Sequence, residues 1–179
     1  MSKLEGMFYQ LLINQMRSKR LAKNTIVIYT IVIINLLLIS ILFFRSLKHN
    51  LVFSGDSIQY LGMAHEIIQG RFPFSDKWMP FYPFLISISS VFTGGNLLHA
   101  AIIVNYGFLI GVILITNYLL YKTLKINALH FLFLNIILLF SREIYFNSLT
   151  IMAELPMLFM FMTSISYFMI KLNQGALTD

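Results

Sequence analysis

Four runs of apolar residues, separated by short polar stretches, organise this chain. The clearest spans residues 25–44, TIVIYTIVIINLLLISILFF, and contains no charged residue. Twenty helical residues rising ~1.5 Å each cross a hydrocarbon core of ~30 Å. Residues 97–121, 127–141 and 155–170 repeat this make-up. A further run, 80–93, is shorter and carries Pro80 and Pro83 near its start, which suits a juxtamembrane helix. Ahead of it, Ile58, Leu61, Ala64 and Ile68 recur at helical spacing, and Gly70 supplies a stop. The pattern predicts an amphipathic helix over 56–70, lying along the membrane surface. The expected fold is all-α: a polytopic transmembrane helical bundle of about four spans, with two juxtamembrane helices in the loop 45–96. Residues 1–24 read as a cytoplasmic basic amphipathic segment, with Leu4, Met7, Phe8 and Leu11 on one face, and 25–179 as the transmembrane domain.

Composition agrees with the pattern. Hydrophobic residues make up 58% of the chain and charged residues 11%, against about 45–50% and about 25% in soluble domains. One water-soluble domain and a disordered chain are both excluded. With no cysteine, disulfides and Cys-type zinc sites are excluded too. The net charge of +6 does not point to nucleic acid, because the basic residues flank the apolar runs. Lys3, Arg17, Lys19, Arg20 and Lys23 precede the first run against the single acid Glu5, so the N-terminus is expected in the cytoplasm. Arg45-Ser46-Leu47-Lys48 follows that run where a signal peptide would carry small residues, so it reads as a retained anchor. Four spans place Lys122, Lys125 and Lys171 on the cytoplasmic side, and five would reverse them. Arg45 and Lys48 run against this pattern. Of the seven acids, Asp56, Glu66, Asp76, Glu143 and Glu154 then gather on the non-cytoplasmic side.

Two of these acids carry the candidate chemistry. Asp56 stands at the start of the 56–70 helix, where the helix dipole favours an ionised carboxylate, and Tyr60 shares its face one turn on. Glu154 opens the last apolar run, and a carboxylate at the lip of a span more often lines a polar cavity than faces lipid. Together they are suited to hold a divalent cation, Mg or Mn, or to divide base and metal roles. The plainer alternative makes both acids helix caps. His49, His65, His99 and His130 show no metal-ligand spacing, and Trp78 and Tyr82 suit the lipid–water boundary. Gly107 and Gly111 predict close helix packing and leave a homo- or hetero-oligomer open.

The order Gly55-Asp56, Tyr60-Leu61, Ala64 and Gly70, then Pro80-Phe81-Tyr82-Pro83, then Ser141-Arg142 and Ala153-Glu154-Leu155-Pro156, resembles the polytopic GT-C-type membrane glycosyltransferases. Within them it is most similar to the dolichyl-phosphate-mannose protein mannosyltransferase and aminoarabinose transferase group. The resemblance runs from about residue 25 to residue 170. It implies sugar transfer from a polyprenyl-phosphate-linked donor to a glycan, lipid or protein acceptor outside the plasma membrane of a prokaryote. It implies Asp56 as catalytic base and Glu154 as the second acid, which helps bind a cation or orient the donor. Arg71, Lys77 and Arg142 are candidates for stabilising the leaving phosphate. Many members carry a second acid directly after the first, where this chain has Ser57. Members also have further spans, so the N-terminal portion of such an enzyme, or a short derivative of one, is expected. The alternative from another class is a non-catalytic membrane subunit or transporter fragment whose acids bind helices together.

Overall fold

A computed structural model describes residues 3–48, 54–73, 80–123, 127–139, 141 and 150–173, with side chains at 25–48, 54–73, 80–121, 127–138, 141 and 150–172. Every regular element among the described residues is a helix. Six α-helices follow one another among the described residues: α1 (Lys3–Lys48), α2 (Gly55–Ile68), α3 (Phe81–Ser90), α4 (Leu97–Tyr118), α5 (Ala128–Leu139) and α6 (Glu154–Asn173). A 3-10 turn, Val91–Thr93, follows α3, and a π-helical segment, Leu119–Thr123, follows α4.

Local chemistry sets the boundaries. Ser54 caps α2, and Gly70, at φ 74°, ends it in the left-handed region that glycine adopts without a Cβ clash. There the Gly70 N–H donates to the Ile67 carbonyl and the Arg71 N–H to that of Glu66, a Schellman motif. Pro80 and Pro83 stand at the cap and in the first turn of α3, where helix N–H groups lack intrahelical partners anyway. Gly94 and Gly95, at φ 62° and 85°, turn the chain into α4. Asn96 caps α4 by accepting from the His99 N–H at 3.1 Å, and Asn127 accepts from the His130 N–H at 2.9 Å beside α5.

Packing fixes the direction of each long helix. At one end of the bundle α2 and α3 lie on the start of α4, burying Tyr60, Ala64, Tyr82, Ile86, Ala100, Ala101 and Val104 together with Ile151. At the other end Thr25 of α1 is hydrogen-bonded to Tyr121, 3.1 Å apart. Along α5, Phe131 packs near Ile28 and Ile31, the Asn135 amide oxygen accepts from Asn35, and Leu138 packs in the cluster around Ile39. Helices α1 and α5 therefore run in the same direction, towards α2 and α3. Helix α6 starts beside the first half of α4, with Leu155 in a cluster with Ile102, Tyr106 and Leu109. The Phe108 and Phe159 rings meet edge-on at 5.4 Å, so α6 runs with α4 and against α1. Two parallel neighbours need a return crossing between them, which α5 begins.

Among the described residues three helices are long and apolar enough to cross a membrane: Thr25–Lys48, Leu97–Tyr121 and Glu154–Leu172. The expected span over 127–141 has only the 12 residues of α5 as helix, about 18 Å. Residues 140 and 142–149 lie outside the described residues. The expected amphipathic segment 1–24 is, from Lys3 on, continuous with the first span: α1 has 46 residues and reaches about 69 Å. Ile26, Ile33, Leu37, Ile41 and Phe44 are all at least half exposed along α1. Such an apolar face would be costly in water and belongs against lipid. The chain has the make-up of a multi-span membrane protein.

Candidate functional site

Asp56 lies in the first turn of α2 but does not cap it. The Ser57 N–H donates to Ser54 Oγ at 3.2 Å, while the Ser54 N–H donates to Ser57 Oγ at 3.0 Å. This reciprocal box satisfies the helix end without Asp56. The capping alternative for Asp56 is thereby corrected: the cap is Ser54. Ser57 is fully buried and committed to the box. The half-buried Asp56 carboxylate remains in the first turn, where the dipole favours negative charge.

One turn on, Tyr60 is buried against Tyr82, with ring centroids 5.1 Å apart at 84°. Burial raises the Tyr60 phenol above its ordinary pKa, and the carboxylates of Glu154 and then Asp56 raise it further. One phenol thus senses both acids, one from the start of α2 and one from the start of α6. Glu154 is exposed, while its neighbours Leu155 and Pro156 are buried and anchor the helix. Asp56 and Glu154 thus both act electrostatically on a phenol at the α2/α3 end of the bundle.

Two residues missing from the sequence-based site support it from beneath. Tyr82 is 1% exposed, its ring facing the protein interior and not its surroundings. It is buried because its hydroxyl finds a partner: it donates to Asn105 Oδ1 at 2.6 Å. The Asn105 amide in turn donates to the Thr150 carbonyl at 2.6 Å. This relay ties α3 through α4 to the stretch that leads into Glu154. Burial holds the Tyr82 phenol well above the usual range, Tyr60 and Glu154 add to the shift, and the Asn105 hydrogen bond opposes it. Asn105 was detectable in the sequence, since an amide within an apolar span needs a polar partner.

The basic candidates separate from this cluster. Arg71 follows the far end of α2, about 20 Å from Asp56 by helical rise. Lys77 and Arg142 lie outside the described residues, as do Trp78, Asp76 and Glu143. Among the described residues no three His, Asp or Glu side chains are grouped to hold a metal ion. Asp56 and Glu154 would furnish two carboxylate ligands, so a cation bound there would need further oxygens from substrate or water.

The chain matches no family model, no curated protein and no solved structure.

Proposed function

We propose that the chain carries the acidic site of a membrane glycosyltransferase that moves a sugar from a polyprenyl-phosphate-linked donor to an acceptor at the α2/α3 end of the bundle. The observation that supports this reading is the convergence of Asp56 and Glu154 on the Tyr60 phenol. In the reaction, Asp56 takes the proton of an acceptor hydroxyl while that oxygen bonds to the anomeric carbon. The bond from that carbon to the phosphate oxygen breaks on the opposite face, and the lipid phosphate leaves with the electron pair. Asp56 suits the base role because Ser54 and Ser57 relieve it of capping. Glu154 orients the donor, and Tyr60, on which both acids act, serves as a hydrogen-bonding platform for the sugar. A divalent cation, when bound by the two carboxylates, would neutralise charge on the leaving phosphate. The acids face the non-cytoplasmic side, as the flanking basic residues imply.

The test is Asp56→Asn in the protein expressed in membranes and supplied with a panel of radiolabelled polyprenyl-phosphate sugars. Loss of a general base lowers the transfer rate at least ~100-fold, with membrane insertion unchanged. Unaltered transfer by the variant rejects the assignment.

A further inference from the structure

At the end of α2 away from Asp56, a cavity of about 470 Å³ opens between α2 and α3, lined by Ile67, Arg71, Phe72, Pro80, Phe81 and Phe84. Its wall is almost wholly apolar. The Schellman turn around Gly70 sets Arg71 at its rim with the side chain exposed. Among the described residues no carboxylate pairs with that guanidinium. From the cavity an apolar stripe continues along α3: Phe81, Phe84, Ile88 and Val91 are 48%, 49%, 47% and 78% exposed. Their spacing of three to four residues places them on one face, opposite the buried Tyr82 and Ile86. The stripe is about 15 Å long, with the exposed Phe92 beside its far end.

A stripe of a few side chains over about 15 Å falls short of a protein interface but suits a fatty chain, and an exposed guanidinium beside it matches a phosphate. We propose that the Arg71 cavity and the α3 stripe bind one anionic phospholipid, with its phosphate on Arg71 and an acyl chain between Phe72, Phe81 and Phe84. Charge complementarity selects this occupant: a zwitterionic lipid offers the same tail but brings its own cation to the rim. The site stands about 20 Å along α2 from Asp56 and is independent of the sugar-transfer reading. It also gives Arg71 a role other than that of a group acting on the leaving phosphate beside Asp56.

Native mass spectrometry of the full chain tests this, with the protein released from micelles containing equal amounts of phosphatidylglycerol and phosphatidylcholine with identical acyl chains. The wild-type chain retains phosphatidylglycerol about five-fold over phosphatidylcholine. Arg71→Gln abolishes the preference, and Arg71→Lys keeps most of it. Phe84→Ala lowers retention of both lipids without altering their ratio. Asp56→Asn keeps the preference, which separates this site from the acidic one. Equal retention by the wild-type chain, or a preference that survives Arg71→Gln, overturns the proposal. So does a preference lost with Asp56→Asn or with Lys48→Gln, since the charge would then act elsewhere.

Discussion

Tyr82 and Asn105 are joined by a 2.6 Å hydrogen bond in which the phenol donates to the amide oxygen, inside the core that α2 and α3 form with α4. The bond is what lets a tyrosine hydroxyl be buried in this core. Tyr82→Phe leaves the Asn105 oxygen without this donor and costs about 1 kcal/mol, in the range of hydrogen bonds between membrane helices. Asn105→Ala also releases the Thr150 carbonyl and costs about 2 kcal/mol. Unfolding titrations in denaturing detergent measure both, and the double variant should cost less than the sum of the two. Strict additivity would show that the two groups do not act as a pair.

The phenol of Tyr60 reports on the two acids directly. Its pKa is raised in the folded protein from an ordinary value of 10.0. A raised phenol contributes its stability in full below the unfolded pKa, and that contribution is lost as pH climbs through the folded pKa. The fold should therefore lose stability above about pH 10, and Tyr60→Phe should flatten part of that loss. Glu154→Gln removes a repelling charge and lowers the pH at which Tyr60 ionises, and Asp56→Asn lowers it by less. Phenolate absorbance, taken as the difference from Tyr60→Phe, follows the titration. An unchanged curve in Glu154→Gln would place that acid away from Tyr60.

Of the two glycines in the expected Gly-x-x-x-Gly, one serves close packing within the chain. A Cβ at Gly111 would stand 2.5 Å from Cε2 of the Phe159 ring, whereas a Cβ at Gly107 meets nothing within 4 Å. Gly111→Ala should push α4 and α6 apart and cost about 1–3 kcal/mol, and Gly107→Ala should be near neutral. Combining Gly111→Ala with Phe159→Ala should recover part of the loss in the same unfolding titration. Equal effects at the two glycines would contradict the packing.

The absence of native cysteine makes sidedness measurable. Gly55→Cys and Met152→Cys should react from one face of the membrane with an impermeant thiol reagent, and His130→Cys from the other. Gly55 has open space at its Cβ, so the substitution fits. Labelling of the first two from opposite faces would separate the acids and end the shared-site reading.

The helices were legible in the sequence wherever local rules decide them. Gly70 was visible as the stop of α2, the juxtamembrane helix over 80–93 appears as α3 and its 3-10 extension, and the long apolar runs became α1, α4 and α6. Boundaries that depend on capping were less visible. Asp56 looked like a cap because carboxylates favour helix starts, and only the backbone path shows Ser54 and Ser57 closing the box between them. Arg71 looked like part of the acidic site because it shares the same loop, yet the length of α2 carries it to the other end.

Long apolar runs and the scarcity of charge, taken alone, pointed to membrane-spanning helices, which the described residues form, because a helix satisfies its backbone polar groups within the segment. The sequence also singled out Asp56 at the start of a juxtamembrane helix and Glu154 at the lip of a span as candidates, with helix capping as the alternative. Tertiary structure alone decided that α4 and α6 run in parallel, that Tyr60 stands where both acids act on it, and that Tyr82 is buried on Asn105. These are contacts between elements far apart in the chain. They depend on which faces interlock and which polar groups find partners when they do, and a one-dimensional pattern carries neither.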